Sequence, residues 1–395
     1  MAGNSLDRPL SSDWRSFFMN GNLRVGSLFG IPFYLNISWF FILLLITWDY
    51  GQDLLQAFPA LGGIAWVWGL LAALLLFASV LAHELGHSLV ALRQGIAVNS
   101  ITLFIFGGLA SLGEESKTPA EAFWVAVAGP LVSIVLFGLL TLVQIVSPLS
   151  GPLAAVIGLI ATINLILALF NLLPGLPLDG GNVLKAIVWK VTGKQYRGVA
   201  FASRAGQVLG WLGIGLGFLN LLEISPVGNI WTILIGWFML QNAGRYAQAA
   251  SVQEQLSGLT AADAVVPDSP IVSADLSLRE FANQHIIGNP HNWRKYFIVN
   301  EIGEWIGEVP VDALKAIPTN DWWNITVREI MQPKGAMESV QSSQPLLDVV
   351  TLLEQKQLPE LVVVQENGSL LGLLEKTSIL QLMQRRAEAK VTPIA

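Results

Sequence analysis

Two histidines and a glutamate at the end of an apolar run carry the first chemistry that this sequence suggests. His83, Glu84 and His87 form the pattern His-Glu-x-x-His. On an α-helix, residues four positions apart lie on one face, one turn apart, so the two imidazoles can share one metal ion. Glu84, next to the first histidine, can then act as a general base toward a water at that metal. The pattern predicts a metal-dependent hydrolase with Glu84 as its catalytic residue.

The residues that precede this motif predict that it lies at membrane depth. Residues 61–82 contain no charged side chain and are long enough to cross a bilayer. A charged residue at the centre of a membrane helix costs about 2.5–3.5 kcal/mol on insertion scales, so polar side chains there usually have a function. The alternative is a group of polar residues at a helix end that binds no metal.

The composition indicates a membrane protein and excludes several kinds of site. The 395 residues are 53% hydrophobic and only 13% charged, with a mean hydropathy of +0.57. The absence of cysteine excludes disulfides, thiolate metal ligands and cysteine nucleophiles. The net charge of −6 gives no support for nucleic-acid binding. The polar N-terminus has no basic region followed by an apolar core, so we expect no cleaved signal peptide.

The predicted fold class is a polytopic α-helical membrane protein with a soluble α/β part at its C-terminal end. Basic residues are concentrated in three segments, which by the positive-inside rule face the cytoplasm together with both termini. These segments are the N-terminus with Arg8, Arg15 and Arg24, then 83–123 and 174–204. We expect a multi-pass protein of a prokaryotic or organellar inner membrane. Its six predicted spans are 31–48, 61–82, 124–146, 152–173, 205–222 and 227–243.

Two segments between the spans are more than simple loops. Residues 98–113 are apolar, rich in β-branched and aromatic residues, and broken by Gly107 and Gly108. They predict a short hairpin or re-entrant element, with an amphipathic loop on the membrane surface as the alternative. Residues 171–181 interrupt an apolar run with two prolines and three glycines. A helix broken at membrane depth usually indicates a binding site.

The third metal ligand follows by elimination. A catalytic zinc commonly takes three protein ligands, and the two remaining histidines, His285 and His291, lie in the soluble part. A carboxylate in the second break, Asp179, is the strongest candidate, although an aspartate that forms a turn before Gly-Gly is an alternative. The other acids considered lie across the membrane by the charge rule or in a polar, solvated stretch: Asp49, Asp53 and Glu223, then Glu114, Glu115 and Glu121.

The two motifs together resemble those of the site-2 proteases, a family of intramembrane zinc metalloproteases. The matching positions are His83-Glu84-Leu85-Gly86-His87 and Asn171-x-x-Pro174-x-x-x-x-Asp179-Gly180, within a likeness that covers roughly residues 20–250. The resemblance implies one zinc ion held by His83, His87 and Asp179, with Glu84 as the catalytic base. It also implies that Asn171 is an active-site residue that steadies the substrate or the oxyanion, although an asparagine capping the broken helix is equally consistent.

The same resemblance implies the substrate. It is a single-span membrane protein, such as a membrane-anchored transcriptional regulator or anti-sigma factor, cut within its spanning segment in regulated intramembrane proteolysis. In the family, the hairpin after the histidine motif is thought to hold that segment extended by strand addition, and 98–113 have the composition for this role.

The C-terminal part contains an internal repeat. After a protease domain at 1–250 and a linker at 251–258, residues 259–317 and 325–383 each read helix, strand, helix, strand, glycine turn, strand, helix, about 66 residues apart. The part 259–395 resembles a tandem CBS pair, which implies adenine-nucleotide binding, homodimerisation, or both. The nucleotide pattern is imperfect, because an acid, Glu375, occupies the position of a phosphate-binding hydroxyl and would repel phosphate.

Two other functions are consistent with parts of this pattern. A CBS-gated ion or solute transporter would use His83, His87 and Asp179 as an ion site. A catalytically inactive scaffold would keep the fold alone. Glu84 separates these from a protease, because a permeation site does not need a glutamate in this register and peptide hydrolysis does.

Overall fold

The computed structural model describes residues 22–105, 107–287, 293–335 and 337–391. Arg8 and Arg15 of the predicted cytoplasmic segment, and His291, lie outside the described residues. The chain divides into two compact units, Met1–Ser251 and Val252–Ala395, which are described separately below.

Helices dominate the first unit, and three helical segments of the described residues are long and apolar enough to cross a membrane: Pro59–Arg93, Pro119–Val146 and Gly151–Asn171. The other predicted spans also lie in helices, but these are more polar, and the first carries Asp49 and Asp53. The count of six spans therefore remains a prediction. The helices are α1 (Ile37–Ala57), α2 (Ala65–Arg93), α3 (Pro119–Val146), α4 (Gly151–Asn171), α5 (Asp179–Thr192), α6 (Gln195–Leu221) and α7 (Ile230–Leu256).

The structure moves the start of the first predicted span and shows that much of the predicted linker is helical. Residues 31–36, predicted as the start of the first span, form a strand, and the helix begins only after Asn36, whose side chain accepts a hydrogen bond from the Ser38 amide (3.0 Å). The predicted linker 251–258 is helical as far as Leu256. Its Gln and Glu residues favour a helix, which Gly258, with a φ of 79°, cannot extend.

A four-stranded sheet accompanies the helices. Its strands are β1 (Asn22–Leu28), β2 (Ile31–Asn36), β3 (Val98–Phe104) and β4 (Gly107–Leu112), in the order β1-β2-β3-β4. The hairpin predicted at 98–113 is present as β3 and β4, and its depth in a membrane remains a prediction. Strand β3 also pairs in parallel with β2, and β4 lies at an edge of the sheet.

Small residues bring the helices of the first unit close together. A Cβ added at Gly206 of α6 would overlap the carbonyl of Leu176, and one at Gly210 would lie 2.8 Å from the carbonyl of Gly236 on α7. Helices in a membrane gain little from burying apolar side chains, because lipid is equally apolar, and close backbone packing takes over that role.

The second unit, which we call the repeat unit, confirms the predicted internal repeat. In the first repeat, strand β5 (Ile271–Ser273) leads through the short helix α8 (Leu278–Phe281) to the hairpin β6 (Lys295–Val299) and β7 (Trp305–Pro310). In the second, α9 (Val327–Ile330) and β8 (Gln332–Pro333) precede β9 (Ser339–Gln341), α10 (Leu346–Gln355), β10 (Glu360–Val364), β11 (Leu370–Glu375) and α11 (Lys376–Val391). Both short strands, β5 and β9, pair in parallel with the hairpin of their own repeat.

The opening segments of the two repeats are exchanged. Leu259 and Ala261, which open the first repeat, are buried in the core of the second, beside Leu346 and Val349. Val327, which opens the second repeat, is buried in the core of the first. Each repeat therefore depends on the other for part of its apolar core.

Candidate active site

The predicted metal ligands come together in the first unit. Nε2 of His83 and Nε2 of His87 lie 3.0 and 3.2 Å from Oδ2 of Asp179. The possible ligand atoms of the three residues all lie within 4.8 Å of one another. His83 is almost fully buried, with 3% of its surface exposed. The i, i+4 spacing on α2 and the break before α5 therefore produce one cluster.

Helix α3 fixes which nitrogen of each histidine faces this cluster. Nδ1 of His87 donates to the carbonyl oxygen of Val125 (2.7 Å), which leaves Nε2 as the free lone pair. Nδ1 of His83 lies 2.9 Å from Oγ of Ser133, one of the few fully buried polar side chains of the described residues. Such partners orient metal-binding imidazoles and raise their basicity.

Gly129 leaves the space that the two imidazole rings occupy. A Cβ at this position of α3 would overlap Nε2 of His87 and would lie 2.7 Å from Nε2 of His83. Pro130 follows in the same helix and cannot donate a helical hydrogen bond. A glycine and a proline inside a long apolar helix are the sequence signal from which this contact could have been predicted.

Glu84 is held against the edge strand β4. Its carboxylate lies close to the backbone of Ala110. Gly108 of the same strand leaves room for its side chain, because a Cβ there would lie 2.8 Å from the Glu84 carboxyl carbon. The predicted hairpin therefore contacts the predicted catalytic residue directly.

Asp179 is positioned by glycine packing as the first residue of α5. A Cβ at Gly180 would overlap the backbone of Leu172, and one at Gly181 would overlap the backbone of Gly175. The turn between α4 and α5 can therefore fold back tightly only if both positions lack a side chain. The Asp-Gly-Gly sequence is explained by this close approach.

One cavity of about 420 Å³ connects these groups. Its wall includes His83, Glu84, His87 and Asp179, and also Asn171, which places the fifth predicted site residue in the same space. The role of Asn171 within the cavity remains a prediction. Gly107 to Ala110 of β4 form part of the wall, so a chain bound there would lie alongside that strand.

A buried polar contact joins α4 to α2 near the cluster. Nδ2 of Asn164 on α4 donates to Oγ of Ser79 on α2 (3.0 Å) and to the carbonyl of Ile160 (2.8 Å). Asn164 is therefore an interhelical hydrogen-bond partner, and it ties α4 to α2 one turn before His83.

In the repeat unit, Ser378 and Asp312, which follow the last strand of each repeat, have partners within the unit. Oγ of Ser378 donates to the carbonyl of Ala264 (2.7 Å) and accepts from the Glu375 amide (3.2 Å). Asp312 of the first repeat forms an exposed ion pair with Lys315 (2.6 Å). Adenine-nucleotide binding remains a prediction.

Comparisons with known proteins show which proteins this chain is similar to. A family model described as peptidase family M50 matches residues 71–151 and 138–212. A protein of Synechocystis sp. that carries the provisional name zinc metalloprotease sll0528 is 57% identical over 94% of this chain and 97% of its own. The solved site-2 protease from Methanocaldococcus jannaschii is 28% identical, with a TM-score of 0.42, over 57% of this chain and 95% of that one. A structure of CBSX2 in complex with AMP covers 33% of this chain and 99% of that chain, at 19% identity and a TM-score of 0.25.

Proposed function

This chain belongs to peptidase family M50, the family of the site-2 proteases, and from that premise we propose that it is a zinc-dependent endopeptidase that cuts a peptide bond inside a membrane-spanning segment. Its family membership makes it a membrane metalloprotease. The observation that carries the finer proposal is the cluster of His83, His87 and Asp179 in one cavity with Glu84.

The three clustered residues fit a catalytic zinc. Two imidazoles and one carboxylate are a common donor set for such an ion, which keeps a fourth position open. In a tetrahedral site with bonds of about 2.0–2.1 Å, neighbouring ligand atoms lie about 3.3 Å apart. The observed separations of 3.0 and 3.2 Å need only a small expansion, and Gly129 leaves the space for it. When bound, zinc supplies a Lewis acid that activates water and polarises a carbonyl group.

Glu84 is the residue that transfers the proton of the attacking water. Glu84 accepts the proton of the attacking water and later delivers it to the amine of the leaving peptide, so one carboxylate acts first as base and then as acid. Close contact with Gly108 and Ala110 of β4 holds that carboxylate in the cavity wall. Asn171, on the same wall, is the proposed partner of the substrate carbonyl.

The substrate must be held as an extended chain, because a helix shields its own peptide carbonyls. Strand β4 is an edge strand that lines the cavity beside Glu84, so its free backbone groups support the binding of a substrate segment by strand addition. We therefore propose a single-span membrane protein as substrate, such as a membrane-anchored regulator or anti-sigma factor that is released by the cut.

The repeat unit is proposed to regulate the protease or to form a homodimer. The similar CBSX2 structure holds AMP, which makes AMP and ATP the first ligands to try. If either nucleotide raises the melting temperature of the full chain and changes the cleavage rate, the repeat unit is a nucleotide sensor. No shift with both, together with a dimer in light scattering, would support dimerisation alone.

The decisive experiment compares purified wild type with Glu84→Gln on a tagged single-span substrate in detergent. We expect cleavage to fall by about 10²–10⁴-fold in Glu84→Gln while bound zinc stays near one ion per chain, because the glutamate is a base and not a ligand. A chelator should abolish cleavage, and added zinc should restore it. Glu114→Gln, which removes an exposed carboxylate 69% accessible to solvent, is the matched control and should cleave at the wild-type rate.

Cleavage by Glu84→Gln at the wild-type rate would exclude the proposed mechanism. The rival ion site makes the opposite prediction: zinc flux into proteoliposomes that depends on His83 and Asp179 but not on Glu84.

A further inference from the structure

The catalytic cavity has a charged cluster at its solvent-exposed rim that the proposed reaction does not use. This rim cluster consists of Glu115, Lys185 and Gln195, and all three line the cavity. They come from three different elements: the connection between β4 and α3, the middle of α5, and the first residue of α6. The three side chains therefore meet at one point of the cavity wall.

Lys185 is the fixed member of this cluster. Its side chain is only 16% exposed, and among the described residues that line the cavity it is the one lysine or arginine. A lysine side chain with so little exposed surface has few waters around it, so a nearby anion stabilises it. The cavity therefore presents a lysine side chain at a defined place.

The present partner of Lys185 is an exchangeable carboxylate. Nζ of Lys185 lies 3.5 Å from Oε2 of Glu115, and the same oxygen accepts a hydrogen bond from the side-chain amide of Gln195. Glu115 is 71% exposed and belongs to a connection without regular secondary structure. An ion pair with so exposed a partner is weak, so an incoming carboxylate can replace it.

We propose that Lys185 forms a subsite for an acidic side chain of the substrate, with Glu115 in that subsite when no substrate is bound. The inference rests on the proposed protease function, since it names the kind of substrate that the same cavity selects. Gln195 would donate to the substrate carboxylate as it does to Glu115.

The helix geometry gives the distance of this subsite from the cut. Lys185 follows the ligand Asp179 by six residues on α5, which is a rise of about 9 Å. An extended substrate advances about 3.3 Å per residue, and the lysine side chain adds reach. The selected aspartate or glutamate should therefore lie about three to five residues from the scissile bond, on one side of it.

The test is a position scan with the zinc-loaded full chain in detergent. The substrates are single-span peptides without acids near the mapped cleavage site, each carrying Glu or, as its match, Gln at one position two to six residues away on either side. We expect wild type to prefer Glu to Gln by about 5- to 10-fold in kcat/KM at one or two adjacent positions, which is the size of a partly buried ion pair.

Variants of the rim cluster test whether Lys185 causes the preference for Glu over Gln. Lys185→Gln should bring the Glu-to-Gln ratio to about 1, and Lys185→Glu should instead favour a Lys-containing substrate at the same position. Glu115→Gln should accelerate Glu-containing substrates more than their Gln matches. The exposed Lys190, further along α5, is outside the cavity wall, so Lys190→Gln should keep the wild-type ratio.

Three results would overturn the acidic subsite: a wild-type ratio near 1 at every position, a preference that survives Lys185→Gln, or equal acceleration of both substrate sets by Glu115→Gln. Binding of the same peptides to the Glu84→Gln variant separates this inference from the proposed function. Equal dissociation constants for Glu and Gln peptides there reject the subsite whether or not wild type cleaves anything. A Glu preference in binding without cleavage by wild type would reject the protease and keep the subsite.

Discussion

The two units of this chain are packed with different residues. The polar side chains that are buried among the described residues all lie in the first unit: Ser79, His83, Ser88, Ser133, Asn164 and Ser203. The helix contacts of that unit are made largely by glycine, alanine and serine, while large apolar side chains such as Leu139 and Val146 point outward. The repeat unit has the opposite arrangement, with leucine, valine and aromatic side chains filling two buried clusters.

This difference shows which residues determine the packing of each unit. In the first unit, the large hydrophobic side chains point to the surroundings of the protein. The small residues determine how closely the helices approach one another. In the repeat unit, the hydrophobic side chains mark the positions that are buried in the core. Adding one methyl group should therefore be most damaging in the first unit, and removing a large side chain should be most damaging in the second.

The largest effect is expected from Gly129→Ala. The added Cβ would overlap Nε2 of His87 and press on Nε2 of His83, so the two imidazoles cannot both face one ion. We expect zinc content to fall below one tenth of wild type and proteolysis to be lost, although no ligand is changed. Metal analysis of the purified chain measures this directly.

Gly138→Ala is the matched control on the same helix, because a Cβ there meets nothing within 4 Å. It should bind zinc and cleave like wild type. Full zinc occupancy in Gly129→Ala would show that α3 does not limit the space at the metal cluster.

The second effect belongs to the repeat unit. Phe281 is fully buried in the core of the first repeat, and Phe281→Ala should destabilise that repeat by about 3–5 kcal/mol through lost burial and a cavity. Because each repeat contributes residues to the other's core, protection of β10 against hydrogen exchange should fall together with that of β6. Leu380→Ala, at a side chain 64% exposed, should change neither.

Zinc content should remain at the wild-type level in Phe281→Ala, since the ligands lie in the first unit. Loss of zinc in this variant would contradict the separation of the two units. Loss of protection in β6 alone would contradict the exchange of the opening segments.

A smaller effect is expected from Gly206→Ala in α6. Its Cβ would overlap the carbonyl of Leu176, in the turn that leads to Asp179, and such overpacking typically costs about 1–3 kcal/mol. We expect a lower melting temperature and a weaker zinc affinity. Gly215→Ala, on the same helix with open space around its Cβ, should have neither effect, and equal behaviour of the two variants would mean that α6 can shift freely.

The sequence predicted the parts of the site that follow from local geometry. The spacing of His83 and His87 requires a helix only, and the choice of Asp179 followed from the few acids near the break. Gly129, Ser133 and Lys185 were not predicted, because the apolar pattern of a membrane helix does not tell which face meets which partner. The resemblance to a known family supplied Asn171, and the structure adds that it lines the cavity.

The fold was predicted to a similar extent. The hairpin at 98–113 and the internal repeat were visible in β-branched runs and in a 66-residue period. Strand β2 was misread as helix because its apolar residues run directly into the apolar start of α1, so hydrophobicity marks no boundary between them. The exchange of Leu259 and Val327 between the repeats could not be predicted, since two similar repeats offer equivalent cores to either segment.

The smallest expected effect is a pH dependence confined to the repeat unit. Burial lowers the pKa of His285, which packs against the rings of Phe281 and Tyr296. In the unfolded chain a histidine titrates near 6.5, so below that pH the unfolded state binds more protons and the folded state loses stability. Asp312 and Glu329, whose pKa values are lowered by Lys315 and by the Thr326 backbone respectively, contribute such a loss only below about pH 4.5.

Between pH 7.5 and 5.5, the amides of β6 should therefore become less protected against hydrogen exchange, after correction for the intrinsic rate. We expect His285→Gln to remove most of this change, and Gln284→Ala, at its exposed neighbour, to keep it. The same pH dependence in His285→Gln would mean that another group couples to unfolding. The first unit does not contain His285. A parallel loss of protection in α3 would therefore show that the two units unfold together. Unchanged protection of α3 would show that the two units differ in the pH dependence of their stability as well as in their packing.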